Sequence, residues 1–297
     1  GAGGFSPMVF SVRKNIIYKG NVKVVNGEFS FTFIVPKDIA YNFGGGKISY
    51  YASDGNRDAA GYFKQIIVGG MSKDVLNDSQ GPEIELYLNN EKFRSGGYTD
   101  ENPVLLAKLK DESGINTVGN SIGHDIVAVL DGKSNYPFIL NEYYQTDVDT
   151  YQRGTVRYPM FKLAAGPHEI TLKVWDINNN SSEKTIQFVV VPSEEIELGQ
   201  LLVYPNPSNG SFSVEIEHNQ SETELQARVG LFTLSGVNVI SLEQHIFADG
   251  YRNNVIAWNG ISATGQKLDP GFYIGSVSIT NLSGDTASKS FKLLVTR

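Results

Sequence analysis

In GEFSFTFIV the aromatic residues Phe29, Phe31 and Phe33 alternate with Ser30 and Thr32, which gives an extended segment one apolar and one polar face. Strand-like runs continue in KISYYAS, EIELYL, VLLAKL, DIVAVL, EITLKVW, TIQFVVV, SFSVEIE, ARVGLFTL, FYIGSVSI and FKLLVTR, the last alternating only imperfectly, and clusters of Gly, Asn, Asp or Pro separate most of them. No stretch sustains the spacing of a long amphipathic helix, since SEEIELGQL and ETELQ are too short. The pattern predicts an all-β fold of tandem immunoglobulin-like β-sandwich domains.

Two punctuated stretches divide the chain. VGGMSKDVLNDSQGP, beginning at Val68, is polar and turn-rich, and the strand pattern restarts after Gly81-Pro82. PSEEIELGQ follows the run ending at Val191 and reads as an acidic linker. The expected units are residues 1–78, 79–193 and 200–297. The first is short for a complete sandwich and is expected to lack its opening strands. GAGGFSPMVF has neither the basic start nor the apolar core of a secretory leader, and the chain reads as a fragment of a longer protein.

Composition then removes several kinds of chemistry. The 297 residues include no cysteine, which excludes disulfides, thiolate metal sites and a cysteine nucleophile within this chain. A net charge of −7 gives no electrostatic footprint for nucleic acid. The four histidines, His124, His168, His218 and His245, show no zinc-binding spacing. His124-Asp125 could belong to a relay, but no nucleophile elbow accompanies it, and a strand-boundary role is favoured.

Hard oxygen ligands gather at Asp147 and Asp149 in YQTDVDTY, at Asp176 in VWDINNNSS and at Asp111 in KDESG. These are the calcium candidates, and no other cofactor is expected. DINNNSS is also what a hairpin turn requires, and the turn reading is preferred. Asp147 and Asp149 have no assigned partner across a cleft, which leaves glycoside hydrolysis without its carboxylate pair. Trp175 and Trp258 each fall in an alternating run and are expected in sandwich cores rather than on a carbohydrate-binding face. The glycines of NFGGGKIS follow no phosphate-binding pattern and read as a hairpin tip.

From residue 201 the sequence becomes recognisable. LLVYPNPSNGSFSVEIE, VGLFTLSGVNV, DGYRNNVIAWNGISATGQKLDPGFYIGSVSI and KSFKLLVTR occur in that order. Together they resemble the C-terminal sorting domain of proteins exported by the type IX secretion system of the Bacteroidetes. The matching positions are Tyr204, Pro205, Asn206, Pro207, Gly236, Trp258, Gly260, Gly265, Gly271, Tyr273 and Lys292. Physically, Pro205 and Pro207 bar a helix, LSG suits a hairpin, and Asn259-Gly260, Gly265 and Pro270-Gly271 are turn residues.

Residues 80–191, with NGEFSFTFIVPKDIAYNFGGGKISYYASD and DAAGYFKQIIVGG before them, resemble the region after the peptidase domain in type IX secretion sortases, which are gingipain-related cysteine peptidases. That resemblance implies a parent enzyme that removes sorting domains from cargo and joins the new end to anionic lipopolysaccharide at the cell surface, associated with the outer membrane of a Gram-negative bacterium. The catalytic His/Cys dyad of such a parent lies upstream of Gly1, so no catalytic residue is assigned here and this chain is expected to be non-catalytic.

The implied partners are an outer-membrane barrel of the PorV type, other type IX components and the upstream peptidase domain. The sorting domain is expected to be retained as a docking module, with the hairpin FYIGSVSITNLSGDTASKSFKLLVTR as the docking candidate and core completion as the competing role of its last strand. The alternative parent is another type IX cargo, either a gingipain-like peptidase or an adhesin.

Overall fold

The computed structural model describes residues 16–37, 39, 43–70, 78–118, 123–261 and 265–296. Among the described residues the regular elements are strands, apart from a single 3-10 turn at Asn141–Tyr143. From Glu83 onward they form tandem immunoglobulin-like sandwiches, as the alternation predicts.

The second unit contains β5 (Glu83–Leu88), β6 (Gly97–Thr99), β7 (Val104–Lys110), β8 (Val127–Leu130), β9 (Phe138–Ile139), β10 (Tyr144–Thr146), β11 (Arg153–Pro159), β12 (Gly166–Trp175) and β13 (Ser181–Val190). One sheet has the order β10-β11-β7-β5 and the other β6-β13-β12-β8-β9. Ile170, Leu172 and Val174 of β12 and Ile186, Phe188 and Val190 of β13 turn inward and meet Leu105, Ala107 and Leu109 of β7. Only the β6–β13 pairing in this unit is parallel.

The third unit contains β14 (Leu198–Tyr204), β15 (Phe212–His218), β16 (Thr223–Thr233), β17 (Asn238–Ala248), β18 (Arg252–Trp258), β19 (Gly271–Thr280) and β20 (Thr286–Val295). Its sheets run β14-β15-β18 and β17-β16-β19-β20, and they enclose a separate core that includes Val214, Ile216, Leu231, Val277 and Leu293. Phe291, Leu293 and Val295 all point into that core, so the last strand completes the sandwich.

One inward contact is tight. The Phe291 ring lies directly over Gly275 on the neighbouring strand, where a β carbon would collide with it. Gly275→Ala is expected to cost about 1–3 kcal/mol through overpacking. A urea titration measures it, and an unchanged midpoint would show that Phe291 moves aside freely.

The first unit is different in kind. It holds β1 (Gly44–Gly45), β2 (Ile48–Ser53), β3 (Asp58–Phe63) and β4 (Ile67–Val68), paired as two separate two-stranded ribbons. β3 is exposed along its whole length. Phe29, Phe31 and Phe33 do share one face, stacked at 6.5 and 6.3 Å, close to the rise of about 6.6 Å expected for alternate strand residues. Tyr18 continues the stack at 4.6 Å from Phe33. Phe29 also meets Tyr50 of β2 edge-on at 5.5 Å, and Phe29 and Phe31 remain 44% and 37% exposed.

Two local expectations are corrected. Trp175 is only partly buried, with the tilted His124 ring beside it and the Lys173 ammonium 5.0 Å above its own ring. The inward parity of β12 belongs to Ile170, Leu172 and Val174, which sends the adjacent Trp175 to the outer face. Gly44 and Gly45 are not a hairpin tip, because they pair with Val68 and Ile67 as a strand.

Candidate functional site

The sorting-like positions converge mainly on one end of the third sandwich. The Tyr204 hydroxyl donates to Asn254 Oδ1 at 2.9 Å. Asn206 donates from Nδ2 to the Lys292 carbonyl at 2.8 Å and accepts from the Leu294 amide at 3.0 Å. Two residues on, the Ser208 amide donates to the Leu294 carbonyl and the Thr296 amide donates to Ser208. The proline-rich knot thus lies along the outer edge of β20, with Ser208 and Val295 in parallel register. It works as a clasp between the beginning and the end of this domain.

The other motif residues brace the clasp. Trp258 packs on Phe212 at 5.4 Å between ring centres, Phe212 meets Phe291 at 6.2 Å, and the indole N–H donates to the Ile261 carbonyl at 3.0 Å. Gly260 has φ +85° and abuts Gly210 and Ser211, so both its conformation and the lack of space exclude a side chain. The Tyr273 hydroxyl donates to the Asp269 carbonyl, and burial, helped by the Asp269 charge, raises its pKa. Gly271 sits opposite Val295, while Gly236 and Gly265 occupy separate turns. Pro205 and Pro207 flank Asn206 within the clasp.

Beside the clasp, the outer face of β16, β19 and β20 carries an apolar patch. Phe272 is 59% exposed and pairs with Leu294, while Ile274 pairs with both Phe232 and Lys292. Leu234 and Val237, in the turn leaving β16, are 72% and 61% exposed. Exposed apolar side chains gathered in this way suit a protein contact. The sequence pattern missed the patch because these residues come from separate strands.

The acidic candidates separate. Asp147 pairs with Arg153 at 3.0 Å, and Asp149 accepts from the Lys23 amide at 2.8 Å. Asp176 and Asp111 do meet, and Asp78 joins them, with ligand atoms within 4.8 Å of one another. Asp78 was missed because it lies in the aperiodic boundary stretch NDSQGP.

Three carboxylates suit a hard cation in principle. Asp111 also accepts from Ser113 and Gly114, Asp176 from Asn178 and Asn180, and Asp78 from Gln80 and Ser113, so these carboxylates tie several loops together. Burial, with the Asp111 charge adding to it, raises the Asp176 pKa, whereas hydrogen bonds from Gln80 and Ser113 lower that of Asp78.

The histidines do not converge. The His124 ring lies tilted against Trp175 at 4.3 Å between ring centres, His168 contacts Asp131 at 3.0 Å, His245 is exposed on β17, and His218 is buried where β15 ends.

No family model matches the chain, and no curated protein matches it. Among solved structures, dimeric latent PorU from Porphyromonas gingivalis is 31% identical across 90% of this chain. The chain is similar to PorU. It spans 25% of the length of that PorU structure, with a TM-score of 0.40. The identity, rather than the superposition, supports a PorU-related C-terminal region.

The fibronectin(III)-like modules of CbhA from Clostridium thermocellum are 11% identical over 72% of this chain and 94% of theirs, with a TM-score of 0.28. Beta-glucuronidase from Parabacteroides merdae is 11% identical over 72% of this chain and 24% of its own, with a TM-score of 0.29. The sandwich architecture rests on the sheets themselves and draws nothing from these last two.

Proposed function

We propose that this chain is the non-catalytic C-terminal part of a type IX secretion sortase, acting as a spacer and docking module at the outer surface of the outer membrane. The 31% identity with PorU across nine-tenths of the chain carries this reading. The parent would remove sorting domains from cargo and attach anionic lipopolysaccharide, with its nucleophile in an upstream domain, since this chain has no cysteine. In this reading the module needs no cofactor and takes a PorV-type barrel as its partner. The apolar patch around Phe272 and Leu294 offers the docking face, because an exposed hydrophobic cluster can anchor an interface and the clasp already occupies part of the neighbouring strand edge.

A pull-down of the tagged chain against detergent-solubilised outer membranes, with mass-spectrometric identification of what is retained, tests the reading. The expected result is enrichment of a PorV-type barrel, reduced by about tenfold or more in the Phe272→Glu/Leu294→Glu variant, as loss of an apolar anchor implies. Absence of the barrel from the captured proteins would overturn the docking function. Equal capture by both forms would overturn the assignment of the patch.

A further inference from the structure

The third sandwich presents a second built surface, on the side facing the second sandwich. Two glycines mark it from opposite sides. A β carbon on Gly97 of β6 would strike the Glu217 carboxylate, and one on Gly250 would strike the Asn90 amide. Neither glycine has a left-handed φ, so what each supplies is close approach rather than a turn. Each sandwich leaves room for a side chain of the other. Asn90 donates to the Asp249 carbonyl at 3.3 Å, Lys92 reaches the Asp249 carboxylate at 3.5 Å, and the buried Tyr251 hydroxyl hydrogen-bonds with Asp100.

The linker is held as firmly as the faces. Asn219, fully buried, donates to the carbonyls of Pro192 and Glu195 and accepts from the Glu197 amide. Gln220 donates to Ser193 and Glu195, and Asn281 reaches Glu194 at 3.5 Å. Every carbonyl from residue 192 to 195 thus accepts a hydrogen bond from the third sandwich. Ile196 and Leu198 are then buried in its core.

We infer that the surface formed by residues 217–220 and 249–252 is a dedicated seat for the second sandwich, and that the two units form one rigid arm whose linker is closed to peptidases. A peptidase must engage the backbone of an extended segment, and here that backbone is occupied, so cleavage requires the joint to open first. The side chains of Glu194, Glu195 and Glu197 remain exposed, which separates side-chain access from backbone access.

A glutamyl endopeptidase applied to the full chain reads this difference. Cleavage after Glu194, Glu195 or Glu197 is expected to be at least about 100-fold slower in the folded chain than in urea, and about tenfold faster in folded Asn219→Ala/Gln220→Ala than in the parent. Native linker cleavage at close to the unfolded rate, releasing two resistant sandwiches, would overturn the inference. So would an unchanged rate in a double variant shown to be folded by circular dichroism. Should that variant not fold, hydrogen exchange on the parent decides: a Glu197 amide protected like those of β15 supports the closed joint, and one that exchanges within seconds overturns it.

Discussion

Arg252→Ala is expected to lower folding stability by about 3–5 kcal/mol, the scale for removing one partner from a buried ion pair. Arg252 leaves β18 with a side chain 9% exposed and reaches Glu215 at 3.2 Å, Glu217 at 3.4 Å and Gln200 at 3.2 Å. The Glu217 side chain is only 10% exposed, and it lies where the second sandwich approaches through Gly97. Truncating the arginine leaves this carboxylate without its cation and with little water to replace it.

Urea unfolding at pH 7 measures the loss, and a value below about 1 kcal/mol would place the pair among screened surface contacts. Replacing Arg252 and Glu217 together with apolar residues of similar volume is expected to recover much of it, because the damage arises from the charge left behind.

The second large effect is a loss of stability in mild acid. His218 is fully buried: its Nδ1 accepts from the Gln220 amide at 3.3 Å, which leaves Nε2–H to donate to Asn253 Oδ1 at 2.9 Å. Burial pushes its pKa down to about 4, against partial opposition from Asn253, Gln220 and Asp249. The unfolded chain gains this proton near pH 6.5 and the folded chain only near 4, so the stabilisation is complete above 6.5 and is lost as pH falls toward 4.

At about 1.4 kcal/mol per pH unit the loss approaches roughly 3 kcal/mol. Urea titrations of the parent and of His218→Gln between pH 7 and pH 4 isolate it, because the carboxylates common to both proteins cancel in the difference. Parallel curves would refute the assignment.

Much of the fold was legible because alternation reports directly which side chains face inward. The runs around Ile170, Phe188, Val214 and Val277 each place one parity in a core, as the sequence pattern predicts. Trp175 misled because its size suggested burial while its parity gave the opposite answer. The proline knot was readable as a break, since Pro205 and Pro207 act locally. Its partners, Lys292 and Leu294, lie more than eighty residues away and left no local trace.

The same limit hid the joint between the sandwiches. Gly97 is informative only beside Glu217, and Arg252 only beside Glu215 and Glu217. The resemblance to a sorting domain marked several clasp residues without indicating the work they do. Asp78 lay in a stretch with no periodicity, so its meeting with Asp111 and Asp176 had no signal that spacing could reveal.

The clasp also bears on mechanical load. Ser208 and Val295 run parallel, so tension applied between the second sandwich and the end of β20 pulls the two paired segments lengthwise past each other. The bonds joining Ser208 to Leu294 and Thr296, and those joining Asn206 to Lys292 and Leu294, then share the force and must yield together rather than peel one after another. Resistance to forced extension depends on the unfolding rate, and this geometry raises the barrier that sets it. A module tethered against flow or membrane movement would hold its fold through that seam.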